Sequence, residues 1–210
     1  MRISIIGSGN VGTALGKGWI NAGHEVIFGV RDPSSPKTRK ALDLIPGAEI
    51  STIAAAAGRA EIIVITTPPE AVLQIIPELG DLSGKTIIDT TNSVRTRPEP
   101  YPTAYHAVIS LTGSRQVVKC FNSTGFENML NPVYHGVGID MFAAGSSSDA
   151  KHIATTLAKD LGFENCYDFG GDDKVELLEK FAFSWINLAI MQGQGRNVAF
   201  KLVRRDKIDS

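Results

Sequence analysis

An isoleucine-rich strand that runs directly into three spaced glycines constrains this chain more than any other feature. Residues 2 to 6 are followed at once by Gly7-Ser8-Gly9-Asn10-Val11-Gly12, a complete G-x-G-x-x-G at a strand-to-helix turn. Gly7 permits the tight turn, Gly9 leaves room for a pyrophosphate to reach the backbone, and Gly12 lets the helix close on the sheet. Free N–H groups at the start of the helix then favour phosphate. Gly7, Ser8, Gly9, Asn10, Val11 and Gly12 are therefore assigned to the pyrophosphate of a dinucleotide. Gly16 and Gly18, each costing about 1 kcal/mol in a helix relative to Ala, are read as sites of close packing.

Short β-branched runs recur at residues 2 to 6, 25 to 29, 61 to 66, 85 to 90, 116 to 121 and 138 to 143, with a weaker one at 48 to 52. Helical patterns at 10 to 22, 34 to 44, 70 to 79 and 148 to 161 alternate with them, which predicts right-handed βαβ units. The fold class expected is α/β, a Rossmann-type doubly wound, mostly parallel sheet with a small helical C-terminal extension. Runs such as Ile62-Ile63-Val64-Ile65 are apolar on both faces, as central strands covered by helices must be. With 210 residues, the chain is expected to form one compact unit, a dinucleotide-binding domain over 1–170 and the extension over 171–210. The stretch Pro98-Glu99-Pro100-Tyr101-Pro102 reads as a stiff loop.

Lys and Arg number 21 against 22 Asp and Glu, so no global field draws the chain to nucleic acid. No apolar run is long enough for a membrane span or a signal sequence, and a cytoplasmic location is expected. Cys120 and Cys166 lack CxxC spacing and a neighbouring histidine pattern; both are read as buried free thiols, with no metal. A last helix is predicted from Asp172 to Gln192, after the Gly170-Gly171 break and before Gly193 and Gly195. Leu178, Phe181, Trp185, Leu188 and Ala189 form one apolar face, and Phe183, Ile186 and Ile190 form another. Two faces need two partners. A second copy of the chain is favoured for one of them, giving a homodimer, against packing by the tail around Val198 to Val203.

About 20 residues beyond the glycine turn, where a cofactor's adenosine ribose is read, the second strand ends in Val30-Arg31-Asp32-Pro33. An acid there would suit NAD; Arg31 can instead fork onto a 2′-phosphate, so NADP(H) is favoured, with Val30 alongside and Lys37 turning toward the same phosphate. Asp32 before Pro33 reads first as a helix N-cap. Ligands of open α/β sheets lie beyond the carboxyl ends of the strands. That edge gathers Thr67 and Pro68, Asn92, and the segment Phe121-Asn122-Ser123-Thr124-Gly125-Phe126. Thr67, Pro68 and Asn92 are assigned to the cofactor, and Asn122, Ser123 and Thr124 to the substrate side. His106 and His135 sit in no triad or ligand spacing and are read as loop or packing residues.

The glycine turn, Gly23-His24-Glu25-Val26-Ile27 with Gly29-Val30-Arg31, the Thr67-Pro68 turn, and Val117-Val118-Lys119-Cys120-Phe121-Asn122 with the late helix together resemble the coenzyme F-420-dependent NADP reductase family. The resemblance implies NADPH binding and hydride exchange between nicotinamide and a deazaflavin or flavin ring. In the archaeal reductases a Ser-Arg pair grips the 2′-phosphate; here Val30 replaces the serine and Arg31 matches. Those reductases carry an Ala-Leu-His segment after the sixth strand, where this chain reads Cys120-Phe121-Asn122-Ser123-Thr124. A Phe-Asn-Thr-like segment is similar to the cytoplasmic domains of the STEAP metalloreductases, which use NADPH and flavin.

The function expected is an NADPH-dependent oxidoreductase with coenzyme F-420 or a flavin as second substrate. Two alternatives stand beside it. One is an NADP-binding sensor or regulatory module without turnover; the other is a relative of imine or 3-hydroxyacid dehydrogenases, which need a large helical domain.

Overall fold

Strand β1 (Arg2–Ile6) lies at the centre of an eight-stranded sheet because its Ile residues are covered on both faces. It pairs in parallel with β2 (Glu25–Val30), Ile5 opposite Phe28, and with β4 (Ile62–Ile65), Ile5 opposite Val64. Helices α1 (Asn10–Asn21), α2 (Pro36–Leu42) and α3 (Ile53–Arg59) carry the chain from β1 to β2, then to β3 (Glu49–Thr52), then back across β1 to β4. The computed structural model describes residues 1–43 and 45–205, and of Lys37 and Ala41 the backbone alone.

Helix α4 (Val72–Ile75) leads to β5 (Thr86–Asp89), and α5 (Ala104–Thr112) to β6 (Val117–Lys119). Then come α6 (Phe126–Leu130) and a hairpin of β7 (Val133–Tyr134) and β8 (Val137–Gly138). The chain closes with β9 (Asp140–Ala144), α7 (Ser148–Asp160), β10 (Asn165–Gly170) and α8 (Val175–Ile186).

The spatial order β3-β2-β1-β4-β5-β6-β9-β10 is parallel from β3 to β6, and β9 then runs antiparallel to β6. Their contact, Lys119 opposite Ala144, sets most of β9 past the carboxyl end of β6. The doubly wound, mostly parallel fold expected from the sequence is the one observed. Its strand order reverses between β1 and β4, the place where such sheets hold ligands.

Both faces of the sheet are packed. Ile62 and Val64 meet Leu15 and Trp19 of α1 and Leu157 of α7, while Ile63 and Ile65 meet Val72, Tyr105 and Leu178 on the other side. Gly16 and Gly18 are close-packing sites, as read. A methyl at Gly16 would stand 2.4 Å from Phe28 Cζ, and one at Gly18 2.2 Å from Leu161 Cδ2.

Several sequence expectations need correction. The helix predicted over 70 to 79 is one α-turn flanked by 3₁₀ turns at 69–71 and 76–78, because Pro77 has no N–H to continue it. The helix predicted over Asp172 to Gln192 is three pieces, a 3₁₀ turn at 172–174, α8, and a π-turn at 187–191 that ends before Gly193 in the left-handed region. Leu178, Trp185 and Ala189 are buried as expected, but Leu188 is exposed, since the widened turn carries it off that face. Cys120 is buried, whereas Cys166 is only half-buried, because β10 is the edge strand.

Helix α3, α5 and the edge strand β10 were not anticipated. The first two had local signals. Thr52 caps α3 by accepting from Ala55 N (3.3 Å), and α5 lies between the Thr103 cap and Gly113 at φ +66°.

Candidate functional site

At the carboxyl ends of β1, β2 and β4 lies a cleft of about 520 Å³. Gly7, Ser8 and Gly9 form one wall, with Val30, Arg31, Thr67 and Pro68 around them. Gly7 has φ +115°, a conformation open to glycine, and its N–H donates to Gly29 O at 3.0 Å. A Cβ on Gly12 would come within 2.7 Å of Gly7 O and of Thr66 Oγ1, so the helix can close on the sheet here with no side chain. Gly9 differs from both. A Cβ there would meet nothing within 4 Å, so the space above it is free for a ligand.

Helix α1 begins behind Gly9 with no side-chain cap bond and no acid in its first turn. Its first N–H groups therefore keep their capacity for an anion. Asn10, Val11 and Gly12 belong to that turn and do not line the cleft; what they offer an anion is backbone N–H. The residues present fit a dinucleotide pyrophosphate.

At the far end, Arg31 is exposed on the cleft wall together with Asp32, Ser35 and Thr38. The hydroxyls of Ser35 and Thr38 were missed in the sequence, where nothing marks a serine or threonine before and within a short helix as facing a ligand. Asp32 does not cap α2, whose N-cap is Ser35. Its Oδ1 instead accepts from Ser34 N (2.9 Å) and Ser34 Oγ (2.5 Å), and these bonds hold its carboxyl below the usual range. The turn over 32–35 delays the helix by those residues, which is why the cap moves. The Lys37 side chain, assigned to the 2′-phosphate, lies outside the described residues.

The third and fourth sides of the site are built on β5 and β6, beyond the cleft itself. Asn92 Nδ2 donates to the backbone carbonyl of Asn122 (2.8 Å), and Asn122 Nδ2 donates to Asn92 Oδ1 (3.0 Å). Ser123 is buried, its hydroxyl 3.6 Å from Met141 Sδ, and Thr124 Oγ1 accepts from Asn128 Nδ2 (2.7 Å). Of the substrate-side trio, only Asn122 keeps a free polar atom: its Oδ1 is buried without a hydrogen-bond partner among the described residues, as is Thr67 Oγ1 on the cleft wall. His106 accepts or donates at Thr103 Oγ1 (2.8 Å), and His135 is exposed at the β7–β8 turn; neither lines the cleft.

Beneath this edge lies a charged cluster that the sequence reading missed. Lys119 and Asp89 side chains are both 0% exposed, joined at 2.9 Å, and Glu179 from α8 closes on the same ammonium. Burial opposes the Lys119 charge, but the two carboxylates outweigh it and hold the ammonium above its usual range. Burial raises Glu179 in spite of Lys119. The remaining oxygens are used as well. Asp89 Oδ1 accepts from Thr91 N (2.9 Å) and Glu179 Oε2 from Ser93 N (2.7 Å), so the cluster holds both sides of Asn92. A lysine inside the apolar run Val117-Val118-Lys119-Cys120 was the available signal, since a strand buried on both faces tolerates a cation only when it is paired.

The tail crosses the same edge. Trp185 Nε1 (2.6 Å) and Asn128 Nδ2 (2.8 Å) both donate to Val198 O. Arg196 lies between the rings of Phe126 and Trp185, 5.3 and 5.4 Å from their centroids, and bonds to Glu127. Phe200 packs on Phe181 at 4.6 Å. The tail thus occupies the Leu178, Phe181 and Trp185 face of α8, and Phe183 (39%) and Ile190 (48%) stay exposed.

Residues 2–93 match the model of the family described as NADP oxidoreductase, coenzyme F420-dependent. Over that span, somewhat under half of its length, the chain resembles this family. A solved structure from Arthrobacter sp. FB24, named as a candidate F420-dependent NADP-reductase, superposes with a TM-score of 0.85 at 26% identity, covering 97% of this chain and 100% of that one. An imine reductase from Myxococcus stipitatus, solved with NAD+, shares the fold, with a TM-score of 0.67 at 17% identity over 91% of this chain and 62% of its own.

Among curated proteins, a glycerol-3-phosphate dehydrogenase (NAD(P)+) of Azotobacter vinelandii is 30% identical over 104 residues, 44% of this chain and 31% of the relative. The chain spans about a third of the length of the curated relatives it matches. No helix among the described residues is long and apolar enough to cross a membrane.

Proposed function

We propose that this chain is an NADPH-dependent oxidoreductase that delivers hydride to a flavin or deazaflavin, and that residues 1–170 hold the dinucleotide while 171–210 form a helical extension. The observation that carries the reading is Gly9: an open position at the N-terminus of α1 within a cleft whose far end presents Arg31. In this reading Gly7 to Gly12 hold the pyrophosphate, Arg31 with Val30, Ser35 and Lys37 receives the 2′-phosphate, and Thr67, Pro68 and Asn92 border the nicotinamide ribose. Asn122, Ser123 and Thr124 stand on the acceptor side.

When bound, a dihydronicotinamide would supply the hydride, and a flavin or deazaflavin acceptor would need one proton in addition. The chain's own residues need only hold two planar rings in contact and keep water out. That task needs no dedicated acid or base. Stopped-flow oxidation of NADPH by the protein with added riboflavin, FMN or a 5-deazaflavin tests the reading. Turnover with one of them is the expected outcome; tight NADPH binding without turnover on any of them would favour the regulatory alternative.

Arg31→Ala is expected to weaken NADPH by about 1.5–3 kcal/mol, the range of a hydrogen bond to a charged group, and to leave NADH nearly unchanged. Titrations of both nucleotides against both proteins check it, and equal losses would remove Arg31 from the 2′-phosphate.

The exposed Phe183 and Ile190 support a homodimer through this face of α8. Phe183→Glu places a charge in that contact and should convert a dimer to monomers in sedimentation velocity. A wild-type protein that sediments as a monomer at micromolar concentration would remove the dimer.

A further inference from the structure

We propose that the Asn92–Asn122 pair, beside the cleft at the carboxyl ends of β5 and β6, reads an N–H donor of a bound ligand, with Asn122 Oδ1 as the acceptor. The inference rests on the dinucleotide reading above and adds the recognition chemistry of its unassigned end. The orientation of both side chains follows from one fixed group. The backbone carbonyl of Asn122 can only accept, so Asn92 must present Nδ2 to it, at 2.8 Å. Asn92 Oδ1 then faces Asn122, which must answer with its own Nδ2, at 3.0 Å. Asn122 Oδ1 is what remains, an acceptor that cannot be exchanged for a donor without losing one of the two bonds.

That oxygen has no partner among the described residues, and Asn122 as a whole is 4% exposed. A buried carbonyl left bare is costly, and the fold here holds it in place from three sides. Phe121, the preceding residue, is fully buried at φ +58°, a left-handed conformation unusual for a bulky residue. It is fixed there by an edge-on contact with Trp19 at 5.6 Å. On the other strand, the carboxylates of Asp89 and Glu179 grip the backbone on both sides of Asn92. Strain and a buried ion cluster converge on one carboxamide whose free atom accepts. The oxygen is covered in this structure, so the proposal includes a local rearrangement around it when a ligand arrives.

In the proposed reaction two groups carry a suitable N–H, the carboxamide of the nicotinamide and the ring imide of an isoalloxazine. Paired analogues separate them. NADP+ is compared with its 3-acetylpyridine analogue, which keeps the carbonyl and lacks the N–H, and riboflavin is compared with 3-methylriboflavin. Wild-type protein should disfavour one analogue by about tenfold, in affinity for the nucleotide pair or in KM for the flavin pair. The pair that shows it identifies the donor. Asn122→Leu should bring that ratio near one while leaving binding of 2′,5′-ADP, which has no nicotinamide, unchanged.

The wild-type comparison needs no variant, so it decides the matter even if Asn122→Leu fails to fold. Ratios near one for both pairs overturn the proposal, and so does a ratio that survives in folded Asn122→Leu. If wild-type protein binds 2′,5′-ADP and NADP+ but ignores both substitutions, the dinucleotide reading stands and this inference alone falls. If it binds neither nucleotide, both fall.

Discussion

Gly9→Val is expected to give a folded protein with no saturable binding of NADPH or NADH. Gly9 has φ −78° and ψ −177°, extended backbone that valine adopts without strain. A Cβ at this position touches no protein atom within 4 Å, so the fold has little reason to object. Its role as N-cap carries no side-chain bond, and losing glycine there costs the fold about 1 kcal/mol or less. The added methyl groups instead fill the space in which a pyrophosphate would reach the first N–H groups of α1. Calorimetric titration with both nucleotides, alongside thermal unfolding, checks the pair of outcomes. Retained affinity in a normally folded variant would move the phosphate site away from this turn.

The second large effect concerns stability. Lys119→Met removes the only cation from a cluster in which Asp89 and Glu179 remain buried, and a buried pair broken on one side costs about 3–5 kcal/mol. The deficit should depend on pH. Burial already lifts Glu179 above its usual range, and without Lys119 the folded variant favours the protonated acid still more. The folded state then binds more protons than the unfolded one between the unfolded and folded pKa values, so stability of the variant falls as pH rises through that window and recovers as pH is lowered. Urea unfolding at about pH 5 and pH 7.5 measures it. A pH-independent loss under about 1 kcal/mol would mean that the cluster is not held as described. Adding Glu179→Gln to the variant should restore part of the loss at the higher pH, since it removes one of the two uncompensated charges.

The glycine turn and the parallel strands were legible because each follows from local rules. Gly7 needs a positive φ, Gly12 and Gly16 need close approach, and Ile62 to Ile65 need cover on both faces. The tip of β2 was legible in part. Arg31 could be read from its distance along the chain, whereas Ser35 and Thr38 reach the cleft because the Asp32 turn holds back the start of α2, a matter of three-dimensional placement.

The Lys119, Asp89 and Glu179 cluster joins residues 30 and 60 positions apart, and no spacing rule connects them. Lys119 alone stood out, as a cation in an apolar strand. β10 was missed for a related reason. Its sequence Asn165-Cys166-Tyr167-Asp168-Phe169-Gly170 has neither the even apolar run of a central strand nor a clean alternation, and it becomes a strand by pairing with β9 at the sheet's edge.

The shared carbonyl of Val198 ties motion at one place to motion at another. Asn128 lies in α6, which begins directly after the segment carrying Asn122, and Trp185 lies in α8, which also supplies Glu179. If residues 196–203 detach, Asn128 and Trp185 lose their shared acceptor and Glu127 its arginine together, so the amides of α6 should exchange with solvent through the same opening as the tail, 70 residues away in sequence. The slack of the chain's far end would then be felt as slack at the acceptor edge. A protein trimmed before Arg196 should keep its nucleotide cleft while losing exchange protection along Phe126–Leu130.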